Sequence, residues 1–107
     1  GLGDVYKRQL TARAWALRRM SLAVAGELAA GRKPDILAAT VKDVGSTFEG
    51  DVVEAVRSSG GYLARRTGGD AFARLLARSI LHTPAFTLRG GTNEILRGIV
   101  ARGMGIR

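Results

Sequence analysis

The sequence contains no cysteine, one histidine (His82), two prolines and few aromatic residues, namely one Trp, two Tyr and three Phe. The lack of cysteine excludes disulfides and thiolate metal sites, and no metal site is predicted. It is also compatible with a reducing compartment, so we expect a cytoplasmic protein. No apolar run approaches the roughly 20 residues that a membrane-spanning helix needs, so no membrane association is predicted.

Acidic residues are also scarce, since 9 Asp and Glu face 17 Lys and Arg and leave a formal net charge of +8. Such a charge raises the question of an anionic partner. The arginines are nevertheless dispersed along the whole chain, and aromatic and basic residues do not alternate as they do in proteins that stack on single strands. The pattern therefore favours a solvated surface, or one that faces a phosphorylated small molecule, over nucleic-acid binding.

At 107 residues the chain is one domain or part of one, and a hydrophobic content of 46% can support a core. Residues 1–9 lack the texture rich in Ala, Leu and Arg that follows them. We interpret them as a non-native leader or as a frayed helix start capped by Asp4. Residues 10–107 are then a partial helical bundle domain, and we expect the chain to begin in the middle of a longer protein.

Apolar residues at helical spacing predict two long helices in the first half of the chain. The first runs from about Leu10 to Ala30, and the second runs from Pro34, which suits the first helical position, to Ser58. Apolar side chains beyond the main stripe of the first helix, such as Trp15 and Leu22, indicate packing against several neighbours or another subunit. The predicted buried stripes are Leu10, Ala14, Leu17, Ser21, Val24 and Leu28 in the first helix, and Leu37, Val41, Val44, Phe48, Val52 and Val56 in the second.

Two shorter helices are predicted in the second half, after a glycine-bounded connector over residues 60–69. The third runs from about Asp70 to Leu81, because the proline in Thr83-Pro84 disfavours helical geometry in the residue before it. The fourth runs from about Thr92 to Arg102. The inner side of the third helix is predicted to be Phe72, Leu75, Leu76 and Ile80.

No strand pattern stands out, so the chain is predicted to be all-α, an up-and-down bundle of about four helices. Gly45 and Gly50 lie inside the second helix, where each costs roughly 1 kcal/mol relative to Ala. Close contact with another helix is the expected reason for their presence.

The segment over residues 88–95 carries the strongest functional signal. Gly90 and Gly91 precede Thr92, an acid and then apolar residues at helical spacing, which predicts a turn that enters a helix N-terminus. Thr92 can cap that helix. Alternatively, the bare glycine backbone and the free helix-start amides can approach an electron-rich ligand. The residues by themselves leave both interpretations open.

The segment Gly90-Gly91-Thr92-Asn93-Glu94-Ile95-Leu96-Arg97, followed by Ile99-Val100-Ala101-Arg102-Gly103-Met104-Gly105, resembles the carboxyl end of the acyl-CoA dehydrogenases. Residues 34–62 are also similar to that family, in Ala38-Ala39-Thr40-Val41-Lys42 and in Gly60-Gly61-Tyr62. The resemblance implies the last three to four helices of the carboxyl-terminal bundle of an FAD-dependent enzyme of fatty acid metabolism.

The resemblance also implies three sets of site residues. In the family, a backbone N–H beside the acyl-CoA thioester polarises its carbonyl, which acidifies the α-proton that a base removes while FAD accepts the β-hydride. The implied residues are Thr92, Asn93 and Glu94 as FAD contacts, Gly60 and Gly61 as glycines close to the FAD of a neighbouring subunit, and Gly90 and Gly91 as backbone beside the thioester.

No catalytic residue is assigned to this chain. Many members of the family carry the catalytic glutamate at the position of Gly90, and glycine cannot accept a proton. Other members place the base on an earlier helix or pair a subunit that lacks it with one that has it. The resemblance therefore implies a homo-oligomer, a tetramer by analogy, or a hetero-oligomer with a base-bearing subunit. Glu27, Glu49 and Glu54 are interpreted as solvated helix residues.

Two other functions compete with the dehydrogenase interpretation. A non-enzymatic helical module would use the wide apolar surface of residues 10–30 only for self-association. A basic helical nucleic-acid binder would bind DNA or RNA with a strong dependence on salt. Retention of FAD by the complete protein would separate the first interpretation from both alternatives.

Overall fold

The computed structural model describes residues 2–59 and 67–106, and these residues form four helices. They are α1 (Leu2–Ala29), α2 (Asp35–Ser58), α3 (Ala71–Phe86) and α4 (Asn93–Gly103). These residues contain no strand. The predicted all-α bundle of about four helices is therefore confirmed. None of the described helices is both long and apolar enough to cross a membrane.

Helix α1 begins at Leu2, earlier than the predicted start near Leu10, so Asp4 lies within the helix and the prediction that it caps the helix start is wrong. The residues before Leu10 contain no proline, and Asp4 in the first turn interacts favourably with the positive end of the helix dipole. Helical geometry can therefore extend through residues 2–9. Whether these residues are native stays a prediction.

The buried side of α1 follows a different stripe from the predicted one. Leu10, Leu17 and Val24 are half-buried as predicted, but their companions are Arg13 and Met20. The Arg13 guanidinium lies 5.1 Å from the centroid of the Phe48 ring of α2, a cation–π contact that accompanies the partial burial of Arg13. The alternative positions lie one residue further along the chain, which turns them about 100° away from the face that contacts α2. The members of the predicted stripe that are exposed instead are Ala14, Ser21 and Leu28.

Helix α2 is central, because it packs against each of the other three described helices. It runs antiparallel to α1, as shown by the ion pair between Arg13 and Asp51 and by Leu17, which faces Gly45. A Cβ added at Gly45 would lie 3.9 Å from Leu17, and one added at Gly50 would lie 3.7 Å from Thr83 of α3. Both glycines therefore face a neighbouring helix as predicted, but at distances where a Cβ would fit, so a contact so close that it requires glycine stays a prediction. Of the predicted α2 stripe, only Val44 is exposed.

Helix α3 continues through Pro84 to Phe86, so its predicted end at Leu81 is wrong. Asp70 caps the helix by accepting a hydrogen bond from the Ala73 amide at 2.7 Å. A proline close to the end of a helix removes only one backbone donor, and the helix continues for two residues beyond it. The Thr83 hydroxyl donates to the Ser79 carbonyl at 2.9 Å in this turn.

The inner face of α3 is lined by two alanines and two larger aliphatic residues. Ala73, Leu76 and Ala77 are buried, and Ile80 is half-buried. The predictions for Leu76 and Ile80 are therefore confirmed. Those for Phe72 and Leu75 are wrong, because these residues are 44% and 59% exposed. Their spacing along the helix is as regular as that of the buried residues, but they lie on the face that points away from α2.

From Thr83 to Gly103 the chain follows α2 in the antiparallel direction. Thr83 faces Gly50, Asn93 is hydrogen-bonded to Thr47, and Gly103 lies against Ile36. This path places the beginning of α4 beside the middle of α2. A Cβ at Gly103 would overlap the Ile36 side chain, so the two helices approach closely at this end.

Candidate functional site

The turn between α3 and α4 has a backbone that only glycine adopts readily. Gly90 has φ +66° and Gly91 has φ +111°, both in the region that side chains disfavour. A Cβ added at Gly90 would lie 3.4 Å from Lys42 Cε of α2, and one added at Gly91 would lie 3.7 Å from Leu96 Cδ2. The side chains of Lys42 and Leu96 therefore support one side of the turn, and the glycines leave its backbone uncovered by side chains of their own.

Thr92 caps α4. Its backbone is extended (φ −70°, ψ 160°), and its hydroxyl accepts a hydrogen bond from the Ile95 amide at 3.3 Å. The cap interpretation of Thr92 is thus confirmed. A cap satisfies only part of the set of amides that a helix start leaves without intrahelical partners, and the helix dipole adds positive potential there. Capping and ligand binding at this turn are therefore compatible.

Glu94 is exposed in the first turn of α4. The pKa of its carboxyl is lowered by the hydrogen bond from its own backbone amide, then by the Thr92 hydroxyl, and last by the charge of Arg97. The side chain is consequently a carboxylate at neutral pH. It offers acceptor oxygens directly beside the glycine turn.

Asn93 turns its side chain toward α2. The residue is only 7% exposed, and its Nδ2 donates to the Thr47 hydroxyl at 3.2 Å. Its Oδ1 is buried and accepts no hydrogen bond. Of the three residues predicted to contact FAD, Asn93 is therefore the one whose side chain packs between the helices.

A second contact lies one turn further along α4 and one turn earlier along α2. Arg97 Nε donates to Asp43 Oδ2 at 3.1 Å, while the other carboxylate oxygen of Asp43 is buried without a donor. The Thr47 hydroxyl in turn donates to the Asp43 carbonyl at 3.0 Å. We refer to Asp43, Thr47, Asn93 and Arg97 as the polar cluster.

Asp43 and Thr47 were not predicted as site residues from the sequence. Each is a polar residue on a long helix and looks like an ordinary surface position in isolation. The available signal is the repeated spacing of four, between Asp43 and Thr47 on α2 and between Asn93 and Arg97 on α4. It becomes meaningful only when the register of the two helices is known.

The remaining site predictions divide into two groups. Gly60 and Gly61 lie outside the described residues, so their proximity to a flavin stays a prediction. The three glutamates interpreted as solvated each form a surface ion pair with an arginine, and the pKa of Glu54 is lowered to about 2 by hydrogen bonds from Arg57 and Ser58. The pairs are Glu27 with Arg32, Glu49 with Arg89, and Glu54 with Arg57.

Comparison with known proteins identifies the family. The model of the family described as "Acyl-CoA dehydrogenase, C-terminal domain" matches residues 8–105, which is nearly the whole chain. No curated protein and no solved structure matches the chain significantly. The matched range includes the glycine turn, the capped start of α4 and all of α2. The chain therefore belongs to the acyl-CoA dehydrogenase C-terminal domain family.

Proposed function

We propose that this chain forms the carboxyl-terminal part of an FAD-dependent acyl-CoA dehydrogenase, which carries out the α,β-dehydrogenation of an acyl-CoA thioester. The observation that carries the proposal is the left-handed Gly90–Gly91 turn, which leads into the capped start of α4 within a chain of this family. Such a turn gives a ligand access to backbone amides that are already held in place.

The residues at the turn fit the two groups that the proposal requires. The amides at Gly90 and Gly91 suit the thioester carbonyl, because a fixed N–H stabilises the negative charge that develops on the oxygen when the α-proton leaves. The exposed Glu94 carboxylate can accept a hydrogen bond from a hydroxyl or ring N–H of FAD. Thr92 and Asn93 would contribute through the main chain, since both side chains have partners within the protein. FAD, when bound, supplies the acceptor for the β-hydride.

The base and the partner subunits belong to the same proposal. We assign the base to another part of the full-length protein or to a base-bearing partner subunit, because the glutamates on α1 and α2 already pair with arginines. A homo-oligomer, a tetramer by analogy with the family, is supported by Trp15 and Leu22, which are 63% and 61% exposed on α1. Cytoplasmic location remains a prediction that rests on the lack of cysteine.

Thr92→Ala in the full-length protein should weaken FAD binding. Loss of the hydroxyl removes the cap that holds the main chain at the start of α4 in its binding conformation, and FAD binding loses up to the free energy of that hydrogen bond, about 1 kcal/mol or about fivefold in the dissociation constant. Titration of the apoprotein with FAD measures the change. Thr92→Ser keeps the hydroxyl and should bind nearly normally. Thr11→Ala is the matched control, because the Thr11 hydroxyl donates only within α1, to the Lys7 carbonyl at 2.7 Å. Unchanged FAD affinity in Thr92→Ala would count against the site.

The 107-residue chain alone should show no acyl-CoA dehydrogenase turnover, because the proposal places the base and most of the flavin site elsewhere. The assay is reduction of an electron-accepting dye with an acyl-CoA, with the full-length protein as the positive control. Turnover by the 107 residues would contradict this assignment of the base.

A second candidate, a non-enzymatic self-association module, is favoured by the exposed apolar residues of α1. The two functions differ in one property of the full-length protein as purified. Bound flavin supports the dehydrogenase. A flavin-free oligomer that takes up no added FAD would favour the module.

A further inference from the structure

We infer that Asp43 and Thr47 of α2 are positioning residues for the Gly90–Glu94 segment, and that they act through Arg97 and Asn93 of α4. This inference rests on the proposed function, since it concerns how the same site is held. Neither side chain is directed at the glycine turn itself. Each instead contacts α4 next to it or one turn beyond.

The polar cluster fixes α4 at two points. Thr47 meets Asn93 at the first residue of α4, and Asp43 meets Arg97 one turn later. Residues four apart lie on the same face of a helix. The two contacts therefore lie side by side, one turn apart, along the interface between the antiparallel helices α2 and α4. One contact would allow α4 to pivot, whereas two contacts define both its rotation and its position along α2.

Burial makes this arrangement selective. Asn93 is buried, and the Asp43 side chain is only 18% exposed. Each already has one oxygen without a donor. A shift of α4 by a turn would leave further buried polar groups unpaired, which costs more than a hydrogen bond gains. The cluster thus penalises a shift of α4 by one turn along α2.

The cluster is coupled directly to the turn. Asn93 follows Thr92 in the chain, so any rotation of α4 moves the cap and the carboxylate of Glu94 with it. Lys42 precedes Asp43, and its Cε lies 3.4 Å from the Cβ position of Gly90. One turn of α2 therefore supports the glycines and also holds the helix that follows them.

Thr47→Val in the full-length protein tests the inference, because valine keeps the shape and removes the hydroxyl. We expect FAD binding to weaken between twofold and tenfold, the range expected for one hydrogen bond, with an altered visible circular dichroism spectrum of the bound flavin. Thr47→Ser should restore both readouts.

The matched control for Thr47→Val is Thr40→Val. The Thr40 hydroxyl also donates to a backbone carbonyl of α2, that of Ile36 at 2.8 Å, but makes no bond to α4. A positioning role requires Thr40→Val to leave the affinity and the flavin spectrum unchanged. Equal behaviour of the two valine variants, or a wild-type spectrum in Thr47→Val, would overturn the inference.

Asp43→Asn is the second variant, to be used if Thr47→Val does not fold. Its matched control is Asp51→Asn, which breaks the comparable ion pair between α2 and α1, Asp51 with Arg13 at 2.7 Å. The flavin spectrum should change in Asp43→Asn only. The same change in both variants would show general loosening of α2 and reject positioning by the cluster.

Failure of the proposed function can be recognised separately. If the wild-type full-length protein binds no FAD, the dehydrogenase proposal fails, and the positioning is judged from backbone amide hydrogen exchange over residues 92–97. Faster exchange there in Thr47→Val than in Thr40→Val supports the positioning of α4. Identical exchange in the two variants refutes it.

Discussion

Gly91→Val should give a full-length protein that carries little or no flavin. At φ +111° a β-branched side chain is sterically disfavoured whatever space surrounds it, and the strain can be relieved only if the turn changes conformation. A changed turn displaces the amides and the cap at Thr92 together. The ratio of flavin to protein absorbance after purification, followed by dye-linked turnover with an acyl-CoA, measures the effect.

Gly31→Val separates local damage from general loss of stability. Gly31 also has a positive φ, +78°, and a Cβ added there would have open space around it, but it ends α1 and lies away from the site. Its valine variant should melt at a lower temperature and still retain flavin. Full flavin loading and normal turnover in Gly91→Val would refute the close approach of a ligand to this turn.

Leu96→Ala should lower the free energy of unfolding by about 2–5 kcal/mol, the range for a truncated leucine in a packed core. Leu96 is 6% exposed, and its side chain lies beneath Gly91, 3.7 Å from the position of a Cβ there. The substitution therefore removes both core packing and the support of the turn. Urea unfolding of the 107-residue chain, followed by far-UV circular dichroism, gives the value.

Leu75→Ala is the control for Leu96→Ala. The same atoms are removed, but Leu75 is 59% exposed on the outer face of α3, so we expect a loss below about 1 kcal/mol. Similar losses in the two variants would mean that Leu96 does not occupy a packed core.

The sequence could predict the helices and the local chemistry of the turn because both depend on neighbouring residues. The capping hydroxyl of Thr92 and the need for glycine at residues 90 and 91 follow from backbone geometry alone. Leu10, Leu17 and Val24 belong both to the stripe predicted for α1 and to the stripe that the structure shows. These features were predicted correctly without knowledge of tertiary contacts.

The remaining features depend on which helix faces which. The spacing of apolar residues is compatible with either of two neighbouring buried stripes on α1 and with either of two buried faces on α3. Only the contact with α2 determines that Arg13 is half-buried in place of Ala14, and Ala73 buried in place of Phe72. The polar cluster is harder still to predict. Asn93 and Thr47 are 46 residues apart, and Arg97 and Asp43 are 54 apart. No local pattern links residues at such distances.

The central place of α2 has a consequence for how the chain can evolve. In the described part of the structure, α1, α3 and α4 each pack against α2 and not against one another. A substitution on the inner face of α1 therefore has to fit only against α2, and a second substitution on the facing part of α2 can compensate for it. A substitution on α2 has to suit up to three neighbours at once. Among homologous sequences, α2 should accordingly be the helix with the least freedom to vary.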